Sequence, residues 1–152
     1  MSKSSIKKQL YNLCLSFIAK RIENIEYALM QARQASNDDT KSSAGDKYET
    51  TREMMQQEMD RNAKQLYEAG QQKIALQQIE NVDFTKEIKN GNLVLTSQGN
   101  FYLSISAGEL KLDENTFYGI SQASPIGKIL IGKKIGDSFN FNNKDFKILE
   151  VY

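Results

Sequence analysis

The sequence predicts an α+β protein: an N-terminal antiparallel coiled-coil helical hairpin followed by a small antiparallel β domain that carries one short helix. Three observations predict it. Two long helical patterns stop on either side of a short acidic stretch, Ser36 to Thr50; past Lys89 the pattern changes to short strands divided by turn residues; and one Ser-Pro start with a Gly stop marks a helix among those strands.

The hairpin is read from periodicity. Ile6, Leu10, Leu13, Phe17, Ile22, Ile25, Leu29 and Ala32 recur at steps of three to five, and Tyr48, Met55, Met59, Ala63, Leu66, Ala69, Lys73 and Leu76 follow similar spacing. Neither helix buries its stripe alone. A connector of about ten residues makes antiparallel pairing of the two the shortest solution, so residues 1–80 are expected to form the hairpin, with its tip near 36–49. Thirty residues at about 1.5 Å each give a rod about 45 Å long, whose tip stands clear of a globular body.

The first helix is expected to begin near Ser4 or Ser5 and to run to about Ala35, since Ser36, Asn37, Asp38 and Asp39 favour turn geometry. Ser42 or Ser43 starts the second. Ser43 with Asp46 three residues on resembles a capping box with Asp in place of Glu, and acids in a first turn are favoured by the helix dipole, which gives Asp46 and Glu49 a structural explanation. Asp38 and Asp39 lie outside both expected helices and have no such duty; they are a solvated turn or a functional pair. Gly70 weakens the second helix, because glycine inside a helix costs about 1 kcal/mol relative to alanine.

In residues 90–152, NLVLT, NFYLSIS, ELKL and TFYGI read as strands between SQG, AG and DEN turns. Ser124 as cap, Pro125 at the first helical position, Ile126, Ile129 and Leu130 on one face and Gly132 as a stop spell the short helix. DSFNF and DFKILEV then flank Asn142-Asn143-Lys144, a tight hairpin.

Charge and composition exclude several functions. Twenty basic residues stand against 19 acids, so no bulk charge calls for nucleic acid or an anionic membrane as the main partner. The distribution is polarised: residues 1–35 carry net +4, and 36–49 carry net −2. Cys14 is the only cysteine and there is no histidine, which removes intrachain disulfides, cysteine metal clusters and Ser-His or Cys-His catalytic pairs. Cys14 beside Leu13 and Phe17 reads as a small buried residue. Apolar runs near the N-terminus are too short for a membrane span and the small-residue cleavage pattern is missing, so the expected address is cytoplasmic. Lys128, Lys133 and Lys134 form a modest basic cluster, more in keeping with a solvated face than with a nucleic-acid site.

The C-terminal run SPIGKILIGKKIGDSFNF, followed by FKILEV, resembles the end of the Gre family, bacterial transcript cleavage factors that bind RNA polymerase. Ala32-Arg33 before the connector, and Tyr48 with Arg52-Glu53 after it, are similar to the family's pattern around its acidic tip. The resemblance implies an FKBP-like C-terminal domain that docks at the rim of the polymerase's secondary channel through Ser124 and Pro125, while the hairpin reaches toward the active site. It implies an accessory factor with no catalytic residues of its own, RNA polymerase as partner, contact with transcript RNA only through it, and no membrane. It also implies that the chain binds no cofactor alone but helps hold a second magnesium ion shared with the polymerase. Asp38 and Asp39 are the expected metal ligands, with Asp46 and Glu49 as further tip carboxylates. Magnesium is a hard cation usually held by one or two carboxylates plus water and phosphate oxygens, which suits a protruding acidic pair.

The tip departs from the family's Asp-x-x-Glu pair. Three residues after Asp38 and Asp39 stand Lys41 and Ser42, the connector is four residues longer, and Asp46-Lys47-Tyr48-Glu49 carries the spacing out of register. Relatives with altered tips inhibit rather than stimulate, so either direction of effect is compatible. The alternative from another class is a coiled-coil interaction adaptor unrelated to polymerase. Prolyl isomerase activity is suggested by the fold resemblance alone, and fold does not carry activity.

Overall fold

The computed structural model describes residues 2–39 and 45–152, with side chains described outside 36–49. Two helices, α1 (Lys3–Asp39) and α2 (Gly45–Gln78), lead into strands β1 (Leu93–Thr96), β2 (Gly99–Leu103), β3 (Gly108–Leu112) and β4 (Asn115–Ile120), helix α3 (Pro125–Leu130), and strands β5 (Ser138–Phe141) and β6 (Lys144–Val151). The α+β class and the helical hairpin followed by a mostly antiparallel sheet are as the sequence predicts. The chain divides into two compact units: Ile18–Gln72, and the remainder, made of the chain up to Phe17 together with Lys73–Tyr152.

The first unit is a pair of helical segments. Ile18, Ile25 and Ala32 are buried at seven-residue spacing, with Ile22 and Leu29 half-buried between them; on α2, Asn62 and Ala69 are buried, with Met55, Met59 and Leu66 half-buried. That alternation of threes and fours is the seam of a two-stranded coiled coil. Here it corrects the sequence reading by one residue in two places. Ile18, fully buried, replaces Phe17, which is 38% exposed, and Asn62 replaces the exposed Ala63. A strict seven-residue step selects Ile18 from Ile25 and Asn62 from Ala69, whatever the polarity of the residue that stands there. Lys73, placed on the stripe by spacing, is exposed. Arg21 donates to the Gln72 amide oxygen across the pair.

The second unit is built on a six-stranded sheet in the order β3-β4-β2-β1-β6-β5, in which only β2 and β4 run parallel. Register gives it two faces. Val94, Leu103, Phe146, Ile148 and Val151 pack on one side with Ile126 and Leu130 of α3 and with Ile88. Leu93, Tyr102, Leu110 and Phe117 share the other, all buried, as the pairings Leu93↔Tyr102, Tyr102↔Gly119 and Leu110↔Phe117 require. Ser104, two residues past Tyr102 on that side, lies 3.6 Å from the Cys14 thiol, so the start of α1 covers this face. Asn142 and Asn143 both have positive φ, 52° and 64°, the left-handed pair that closes a two-residue β-hairpin.

Glycine has opposite meanings at two helical positions. A Cβ on Gly127 would collide with the Ser121 carbonyl oxygen and lie 2.8 Å from the Ser124 hydroxyl, whereas one on Gly70 would meet nothing within 4 Å. Gly127→Ala is therefore expected to lower stability by about 1–3 kcal/mol through overpacking, and Gly70→Ala to raise it by about 1 kcal/mol through helix propensity. Denaturant unfolding of the two variants checks both signs; a common sign would contradict these backbone surroundings.

Burial pushes the Cys14 thiol and the Tyr102 phenol above their ordinary values of 9.0 and 10.0. The folded state keeps these protons at pH values where the unfolded chain releases them, so the stability they contribute is full below about pH 9 and lost as pH rises beyond it. The melting temperature should fall above about pH 9, less steeply in Tyr102→Phe. An equal slope in that variant would show that Tyr102 does not drive the decline.

Candidate functional site

Four carboxylates bracket the reversal between the two long helices. The sequence places Asp38 and Asp39 beyond the first helix; the structure instead carries α1 through both, to Asp39. Ser36 and Asn37 are turn formers, but most helical stability in a coiled coil comes from packing against the partner helix, which overrides local preference. Asp46 is the second residue of α2 and Glu49 follows within its first turns. The expected start at Ser42 or Ser43, with its capping hydrogen bond to the Asp46 region, lies outside the described residues, as do the side chains of Asp38, Asp39, Asp46 and Glu49.

Helix position alone separates these acids into two classes. A helix N-terminus carries partial positive charge and a C-terminus partial negative charge, each worth about 0.3–1 kcal/mol to a nearby charged side chain. Asp46 stands at the favourable end. Asp38 and Asp39 stand at the unfavourable one, in a last turn that holds no basic residue. Helix position therefore gives Asp46 a stabilising role and gives the Asp38–Asp39 pair none.

The donor set is chemically suited to magnesium: carboxylates, with no sulfur and no imidazole in the whole stretch 36–49. Among the described side chains no group of three or more Asp, Glu, Cys or His could hold a metal ion, and the tip carboxylates are not among them.

The second candidate region is the turn entering α3. Ser124 accepts a hydrogen bond from the Gly127 backbone N–H (3.1 Å) and donates one to the Ser121 carbonyl (2.6 Å), while the Ser121 hydroxyl accepts from the Ala123 N–H (3.0 Å). Pro125 occupies the first helical turn, where a missing N–H is no loss. Ser124 thus shapes the turn with its own hydroxyl, and the exposed side chains at this point are Gln122, Ala123, Pro125 and Lys128. Motif reading does not single out Gln122, because nothing in its neighbours' types marks it.

The three lysines of the basic cluster separate. Lys133 lies over the Phe139 ring, 6.0 Å from its centroid, whereas Lys128 and Lys134 are exposed. Phe139 stacks on Phe146 at 4.9 Å, and Phe101 and Phe141 pack around the same ring. Strand patterns miss this aromatic cluster because its members are spread over three strands. It closes the rim of the core. A polar cleft of about 300 Å³ opens elsewhere in this unit, where Lys7 donates to the Val82 carbonyl beside Tyr11, Glu80 and Asp83. Burial lowers the Lys7 pKa, against the raising influence of Asp83.

Among the described residues no helix is long and apolar enough to cross a membrane. No family model matches the chain, and no match is found among curated proteins.

Asp38→Asn/Asp39→Asn is expected to stabilise the chain by about 0.5–2 kcal/mol in low salt, and Asp46→Asn to destabilise it by about 0.3–1 kcal/mol. Thermal unfolding of the two variants measures this, and loss of stability in the first would give Asp38 and Asp39 a structural duty after all.

Proposed function

We propose that this chain is a Gre-like accessory factor that binds RNA polymerase through its secondary channel and modulates transcription elongation. One observation carries the reading. Asp38 and Asp39 end one helix of a long hairpin at the pole where their charge opposes the dipole, so their local structural value is negative and a role outside the chain accounts for them. The Gre-like run from Ser124 to Phe141 and the self-braced turn at Ser124 and Pro125 support the same reading. So does the length available: the segment of α1 from Ile18 to Asp39 is about 33 Å long at about 1.5 Å per residue.

In this proposal the chain supplies ligands to another molecule's metal centre and holds no complete site. Asp38 and Asp39 would hold a magnesium ion together with phosphate oxygens and water, with Asp46 and Glu49 as the further tip carboxylates. The chemistry such an ion supplies when bound is activation of a water and stabilisation of a leaving oxygen, which serves hydrolysis of an extruded RNA 3′ end. The chain's own part is positioning: it would present Asp38 and Asp39 from the last turn of a helix. Docking falls to the exposed face around Pro125 and Lys128. Transcript RNA is met only through the polymerase, and a cytoplasmic location accompanies that partner.

Backtracked elongation complexes of the cognate polymerase test the proposal. Wild-type protein is expected to change the rate of transcript cleavage, up if the tip completes a metal site and down if it blocks one. Asp38→Ala/Asp39→Ala should lose at least about tenfold of that effect while still binding, since removal of a group acting on a developing charge typically costs about a hundredfold or more. A double variant as effective as wild type would remove the tip assignment. Failure of core polymerase to co-purify, with a different stable partner in its place, would favour the adaptor reading.

A further inference from the structure

Among the described residues the sheet order leaves two strands with a neighbour on one side only, β3 and β5. Their open edges differ. In the β3–β4 hairpin the two-residue link Asp113-Glu114 makes Leu112 and Asn115 the closing hydrogen-bonded pair, and alternation makes Leu110–Phe117 and Gly108–Gly119 the next ones. The backbone N–H and C=O groups of Glu109 and Lys111 consequently point away from β4, out of the edge. Their side chains share one face, 3.6 Å apart between Glu109 Oε1 and Lys111 Nζ, and are 50% and 74% exposed.

We infer that this edge is a self-association surface, in which β3 of one copy pairs antiparallel with β3 of a second copy about a two-fold axis through Leu110. That register matches every outward group. Glu109 stands opposite Lys111 of the second copy, and Lys111 opposite its Glu109, in two hydrogen-bonded pairs that contribute about four backbone bonds. Opposite charges directly across a sheet attract and like charges repel, so the register is selected electrostatically as well. Charges on an edge strand ordinarily discourage pairing. Here they alternate in sign at two positions that a two-fold axis exchanges, which favours the strand's own copy over strands of other sequence. Leu110, 6% exposed, lies on the other face at the axis, where a non-hydrogen-bonded pair brings side chains closest. Tyr118, 41% exposed and paired with Glu109 on β4, extends the same row across the sheet. The opposite edge, β5, is SFNF and has no charge to fix a register.

A strand-to-strand contact is small, so self-association is expected at the weak end of the interface range, between about ten micromolar and about a millimolar. Sedimentation equilibrium over that range should show a reversible dimer. Glu109→Lys and Lys111→Glu should each weaken it by about tenfold or more, because each replaces two attractive pairs with two repulsive ones. An equimolar mixture of these two variants should dimerise again, since the lysine introduced in one copy then faces the glutamate introduced in the other. Glu109→Lys/Lys111→Glu in one chain should behave as wild type. Unchanged thermal melting of all three variants establishes that they are folded. A wild type that stays monomeric at the highest concentration, or a mixture that fails to associate while the wild type does, overturns the proposal.

Discussion

The seven-residue step between buried positions on two helices that cannot bury themselves is the constraint on which the rest depends. Ile18, Ile25 and Ala32 on α1, and Asn62 and Ala69 on α2, define a seam that forces the chain to reverse between Asp39 and Gly45. The seam fixes which residues stand at the reversal. It also fixes the helix pole at which each acid is placed, and so separates Asp46, which the dipole favours, from Asp38 and Asp39, which it does not. Asn62 shows how strict the seam is, for its buried amide nitrogen finds no hydrogen-bond partner. A buried unpaired amide costs about 1–3 kcal/mol, and such residues in coiled coils are best known for fixing register.

The sheet unit obeys a different constraint, that each face of a six-stranded sheet must be covered. α3 and Ile88 cover one face, and Ile88 is tied on both sides, its N–H donating to the Lys133 carbonyl and its carbonyl accepting from the Gly132 N–H, each at 2.8 Å. The start of α1 covers the other, where Cys14 is a packing residue whose burial keeps its thiol protonated. The turn that begins α3 needs Gly127 for the same reason that it needs Ser124. Backbone and hydroxyl converge on the Ser121 carbonyl, and no side chain fits between them.

Much of this is legible in the sequence because the signals are local. Ser124 followed by Pro125 and a later Gly132 locates α3 to the residue, and Asn142-Asn143-Lys144 locates the β5–β6 turn to within one residue, Lys144 being the first of β6, since both depend on backbone conformations that few residue types accept. The coiled-coil face is legible only to within one residue. Phe17 is more apolar than its place requires and Asn62 less, so a pattern weighted by hydrophobicity slides past the step that geometry imposes. The end of α1 is hidden for a related reason: Ser36 and Asn37 advertise a turn locally, yet the helix runs on to Asp39. The aromatic cluster around Phe146 is not legible, because it is assembled from residues distant in sequence, and Gln122 is exposed by a turn whose bracing comes from its neighbours' hydroxyls. The parallel pairing of β2 with β4 is likewise invisible to strand patterns, which carry no neighbour information.

We propose that in the assembled complex the reversal between these helices stands beside the catalytic metal of RNA polymerase. A photo-crosslinking residue at Asn37, next to the Asp38–Asp39 pair, tests it in the assembled elongation complex. The account predicts crosslinks to the polymerase's active-centre peptides and to the extruded RNA 3′ end. Crosslinks confined to the enzyme's outer surface would contradict it.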